Sequence, residues 1–95
     1  MQFSRDLRER VASGAITLSI RLWSRPQVKV GGRYQVLGRT IEVDDVDLVP
    51  FSSITAADMK RAGETDREAM RARVAHAGPV EDDTAVYRIE FHLVG

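Results

Sequence analysis

Ser19, Arg21, Trp23, Arg25 and Lys29 are the residues of this chain whose types and spacing suit them to act together. Residues 15–23, AITLSIRLW, alternate strictly, so Ile16, Leu18, Ile20 and Leu22 share one face of a strand. Thr17, Ser19, Arg21 and Trp23 share the other, outward face. Hydroxyl, guanidinium and indole set side by side offer hydrogen-bond donors, a fixed charge and a stacking plane. These are the parts that hold a nucleobase and its phosphate: stacking is worth about 1–3 kcal/mol per base, while Arg and Lys track the backbone. The competing use is structural, with Trp23 in the core or covering its end and Arg21 paired to an acid such as Glu90.

Charge patterning points the same way. Fourteen basic and fourteen acidic side chains cancel, yet they are segregated along the chain. Residues 1–41 carry eight Arg or Lys against Asp6 and Glu9, whereas residues 42–95 carry six against twelve acids. No acid lies between Val11 and Ile41, where Arg21, Arg25, Lys29, Arg33 and Arg39 recur. A one-signed stretch attracts an anionic partner unless the acidic half folds back to neutralise it.

Other chemistries find less support. There is no cysteine, which removes disulfides, thiolate metal ligands and thiol nucleophiles. G-x-S-x-G, Walker and G-x-G-x-x-G motifs are absent, and Val30-Gly31-Gly32 reads as a turn rather than a phosphate cradle. His76 and His92 stand sixteen residues apart on different elements, so neither is read as a metal ligand. Glu42, Asp44, Asp45 and Asp47 offer hard oxygen ligands for Mg²⁺, but a solvated strand edge is the simpler use. The expectation is no metal and no cofactor. The acidic runs at 42–47 and 81–83 also offer a surface to a basic protein partner, although such runs are commonly only solvated. No apolar leader precedes the first charges and no run of about 18 apolar residues occurs, so a cytoplasmic protein without membrane insertion is expected.

These residues need a scaffold. Ninety-five residues suit one domain, 1–95. A short helix at 5–12 is capped by Ser4, buries Leu7 and Val11, and closes at Gly14. The strand at 15–23 is broken by Ser24-Arg25-Pro26. A short extended piece at 28–30 precedes a hairpin, 33–37 with 39–43, around Gly38. Apolar parity then changes from Ile41 and Val43 to Val46 and Leu48, which predicts a β-bulge at Asp44-Asp45. Thr55 with Asp58 forms a capping box, with Ile54 and Met59 spaced as a hydrophobic staple. Thr65 with Glu68 predicts a second box, opening a helix to about residue 75. The final strand, 85–94, puts Tyr87, Ile89, Phe91 and Leu93 on its core face. The fold class expected is α+β, a small β-barrel with flanking short helices, because closure removes exposed edges.

The order of these residues resembles a known family. Ser19-Ile20-Arg21-Leu22-Trp23, Arg25-Pro26, Val28-Lys29-Val30-Gly31 and Tyr34, then Ile54-Thr55 opening a helix and Tyr87-Arg88-Ile89-Glu90-Phe91, resemble the ASCH (activating signal cointegrator homology) domains, relatives of the PUA domains. The resemblance spans nearly the whole chain. It implies a PUA-like barrel and a cleft suited to RNA or nucleosides. Some small ASCH-like proteins are amidohydrolases that remove an acyl group from modified cytidine, using a Lys, a Thr or Ser, and a Glu. The hydroxyl position is Ser19 here, but the Lys position is Ile16 and the Glu position is Ala62, with Glu64 two residues beyond. Neither isoleucine nor alanine activates a nucleophile or moves a proton, which leaves Glu64, or Glu90 with His92, as substitutes. Binding of RNA or a nucleotide is therefore the leading expectation, and a small hydrolase of modified nucleosides or RNA the alternative.

Overall fold

In the computed structural model, which describes residues 1–95, the chain runs α1 (Arg5–Ala12), β1 (Leu18–Arg21), β2 (Arg33–Val36), β3 (Arg39–Pro50), α2 (Ala56–Arg61), α3 (Arg67–Val74) and β4 (Ala85–Val94). Short 3₁₀ turns occupy Phe51–Ser53 and Ala75–Ala77. No helix is long and apolar enough to cross a membrane.

The strands form one antiparallel sheet in the order β1-β4-β3-β2. The sheet is open, which corrects the expected barrel: β1 pairs only with β4 and β2 only with β3, so the two outer strands never meet. Four strands of this length bury their faces under helices and the chain's own N-terminal segment instead of under each other. The edges are protected by brevity, each outer strand having four residues.

The bulge forms where parity changes. Register passes from Val43 opposite Phe91 to Asp45 opposite Glu90, leaving Asp44 as the extra residue. The hairpin turn is Leu37-Gly38, both with positive φ (49° and 76°), as a two-residue turn between twisted strands requires. Leu37, read from sequence as strand, therefore lies in the turn and is exposed.

Ser4 stands at the N-cap of α1 but makes no side-chain cap hydrogen bond, whereas the starts of α2 and α3 follow local side-chain chemistry. Thr55 Oγ1 accepts from the Asp58 amide and Asp58 Oδ2 from the Thr55 amide, each at 3.1 Å, so the capping box is complete. The other Asp58 oxygen accepts from Arg88 at 2.7 Å, and that bond holds the Asp58 carboxyl below its usual range. At α3 the cap is Asp66, not Thr65. Asp66 Oδ1 accepts from the Ala69 amide at 2.8 Å, shifting the start by one residue.

Opposed residues in an antiparallel pair share a face, which sorts the core into two sides. Leu18, Ile20 and Val86 pack under α2 and α3 with Phe51, Ile54, Met59, Met70 and Val74. On the other side, Ile41 and Phe91 pack with Phe3, Leu7 and Val11 of the N-terminal segment and α1, while Tyr87, Ile89 and Val43 pack with Val28.

Candidate functional site

Both faces of the sheet being covered changes the setting of the Ser19–Arg21–Trp23 row. Ser19 is opposite Ile89 and Arg21 opposite Tyr87, so the row belongs to the Phe3 and Tyr87 side of the sheet and is not an open outer surface. Ser19 is buried, and Arg21 and Trp23 are half-buried. A cleft of about 520 Å³ runs beside β1, bounded by Gln2 to Ser4 on one side and α3 on the other. Because β1 is an outer strand, side chains from both of its faces reach the cleft, apolar Leu18 and Ile20 as well as Ser19 and Arg21. Trp23, two residues beyond the end of β1, lines it too. The volume suits a small ligand of nucleotide size.

Arg21 is the centre of this arrangement. Its Nε donates to Ser19 Oγ at 2.7 Å, and its Nη2 donates to the Gln2 carbonyl. The guanidinium carbon lies 5.0 Å from the Phe3 ring centre and 5.7 Å from that of Trp23, within cation–π range. Trp23 in turn tilts against Tyr87, with ring centres 6.1 Å apart. No carboxylate forms an ion pair with Arg21. The Glu90 expected as an alternative partner is engaged by Arg61 at 2.7 Å and Arg88 at 3.3 Å. Burial without a counter-charge disfavours the charged form and pushes the guanidinium below its ordinary pKa.

The other two charged side chains of the cleft, Glu64 and Arg73, pair with each other. Glu64, its side chain only 6% exposed, binds Arg73 Nε at 2.6 Å. The two Nη atoms of Arg73 hold Asp6 of α1 at 3.1 and 2.9 Å. This Asp6–Arg73–Glu64 chain fixes α3 against α1 and raises the Arg73 pKa, chiefly through the hydrogen bond to Asp6. Sequence reading missed it because Asp6 and Arg73 are 67 positions apart. Ile16 and Ala62 also line the cleft, so apolar side chains occupy the places where the resemblance would put Lys and Glu.

Arg25 and Lys29 do not line the cleft. They are exposed on the loop that continues from Trp23, and neither is ion-paired. More broadly, among the eight bases of residues 1–41 only Arg33 forms an ion pair, with Glu42 at 2.9 Å. The acids of the second half are met mainly by Arg61, Arg71, Arg73 and Arg88 of that same half. The acidic half does not fold back to neutralise the basic one.

The sequence grouped Glu42 and Asp44 with Asp45 and Asp47 as oxygen ligands and set His92 apart, whereas the structure brings His92 to the first two. Glu42, Asp44 and His92 bring ligand atoms within 4.8 Å of one another across β3 and β4. The available signal was the bulge at Asp44-Asp45 combined with the outward parity of His92 on the final strand.

The fold is that of an ASCH domain. It matches the ASCH domain of Lactobacillus crispatus JV V101, known from a high-resolution crystal structure, with a TM-score of 0.74 and 17% identity. The match covers 93% of this chain and 70% of that one. No family model matches the sequence, and no curated protein does.

Proposed function

We propose that this protein binds single-stranded RNA, taking one nucleotide into the cleft beside β1. The observation that carries the reading is Arg21, a half-buried guanidinium with no carboxylate partner, set between aromatic rings in a cleft of nucleotide size. An anionic ligand offsets the desolvation that Arg21 bears in the free protein. In this reading Arg21 pairs a phosphate or a base edge and Trp23 stacks on the base. Ser19 aims the guanidinium through its 2.7 Å hydrogen bond. Arg25 and Lys29, outside the cleft and unpaired, attract the flanking backbone. The resemblance to ASCH domains, with the cleft for RNA or nucleosides that it implies, supports the same reading.

Hydrolysis of a modified nucleoside in this cleft has less behind it. Glu64 reaches the cleft that Ser19 lines, but Arg73 holds it, and Ile16 and Ala62 supply no proton-transfer group. The acidic runs at 42–47 and 81–83 remain a surface on which a basic protein partner would dock.

Fluorescence anisotropy with a short labelled single-stranded RNA tests the proposal. Arg25 and Lys29 on phosphates give a slope of about −1.4 in log affinity against log salt, and about −2 when Arg21 also pairs a phosphate, at about −0.7 per contact. Binding that ignores salt, or no binding at micromolar protein, overturns it.

A further inference from the structure

Glu42, Asp44 and His92 meet on the face of the sheet opposite the Ser19–Arg21 row. Glu42 and His92 are directly opposed across β3 and β4, and His92 shares its face with Arg88 and Glu90 rather than with Tyr87 and Ile89. Asp44 is the extra residue of the bulge. Alternation from Glu42 already places Asp44 on the His92 face, and the register shift brings Asp45 to that face too, opposite Glu90. Both Asp44 carboxylate oxygens then lie against His92 Nδ1, at 2.8 and 3.0 Å. Glu42 completes the trio, its ligand atom within 4.8 Å of the other two. Only Oε1 of Glu42 is engaged, by Arg33 Nε at 2.9 Å.

We propose that Glu42, Asp44 and His92 form a surface site for a borderline divalent cation such as Zn²⁺, with water completing the coordination. One imidazole nitrogen and two carboxylates suit Zn²⁺ and its neighbours in the transition series. Mg²⁺ prefers oxygen ligands alone and gives up its hydration reluctantly. Ligands about 2.0–2.2 Å from a shared ion lie no more than about 4.4 Å apart, so the trio closes with a small rotation of exposed side chains. In the ion-free protein, the Asp44–His92 hydrogen bond keeps the imidazole and carboxylate facing each other. The ion then takes the place of the Nδ1 proton. Arg33 is the competitor, since it holds Glu42 from the side.

Isothermal titration with Zn²⁺ and separately with Mg²⁺, in a non-coordinating buffer, tests the site. One Zn²⁺ per chain is expected, with no heat from Mg²⁺. His92→Ala and Asp44→Asn remove the Zn²⁺ heat, whereas His76→Ala, which deletes the only other histidine, retains it. Arg33→Ala binds Zn²⁺ more tightly, because Glu42 is released. Both ligand variants lie at exposed positions, and circular dichroism confirms that they are folded. Absence of Zn²⁺ binding to the unaltered protein, or equal binding by folded His92→Ala, overturns the proposal. The site is on the opposite face from Arg21, so its variants leave RNA affinity unchanged and the two proposals fail separately.

Discussion

On the proposed RNA-binding reading, Arg21→Ala is expected to weaken RNA affinity by roughly tenfold to a hundredfold while the protein stays folded. Hydrogen bonds to a charged group contribute about 1.5–3 kcal/mol, and each 1.4 kcal/mol is about tenfold in affinity. The substitution removes the one cleft guanidinium that lacks a counter-charge and leaves Trp23, Arg25 and Lys29 in place. Its effect on stability is small because two terms oppose each other. The contact with Phe3 and the hydrogen bonds to Ser19 and Gln2 are lost, while the desolvation of a half-buried charge is relieved. Arg21→Lys restores little affinity, since a lysine ammonium has neither the planar fork nor the stacking surface. Anisotropy titration of both variants, with melting temperature as the folding control, measures this. Folded Arg21→Ala with undiminished affinity would place the RNA elsewhere.

The second large effect is on stability. Phe51 is fully buried where β3 hands the chain to α2, and the guanidinium carbons of Arg71 and Arg67 lie 4.8 and 5.6 Å from its ring centre. It packs among Ile54, Met59, Met70, Val74 and Val86, so it links the sheet to α2 and α3. Phe51→Ala removes a large ring that rigid neighbours on several elements cannot replace, at a cost of about 3–5 kcal/mol. For a domain stabilised by about 5–15 kcal/mol, that is a substantial fraction, and the melting temperature falls by more than about 10 °C. The proposed RNA binding is expected to weaken with it, because α3 is a wall of the cleft and carries Arg73. Urea denaturation reads the change, and a loss below about 1 kcal/mol would contradict the role given to this ring.

The sequence announces some of this structure well because local rules govern those parts. Helix α1 and strand β4 lie where amphipathic periodicity and alternation place them, and the Thr55–Asp58 box depends on residues three apart. The bulge is legible from parity alone. At α3, Thr65 and Asp66 are both competent caps, and the tertiary position of the helix selects Asp66. Barrel closure was not legible, because strand number does not say whether two short outer strands reach each other. Nor does alternation distinguish an outward face from a second covered one, which is why the Ser19–Arg21–Trp23 row reads as surface and lies in a cleft. Arg25 and Lys29 share the charge pattern but not the cavity, a distinction made by the path of a loop. The Asp6–Arg73–Glu64 chain joins α1, α3 and the segment between α2 and α3, and no local spacing encodes it.

Trp23 is the only tryptophan, so its emission reports on the cleft alone. Titration of the protein with a short single-stranded RNA should quench that emission saturably, with the same midpoint as anisotropy, because the base stacks against the indole. If anisotropy shows binding while Trp23 emission stays unchanged, the RNA lies on another surface and the cleft beside β1 is not its site.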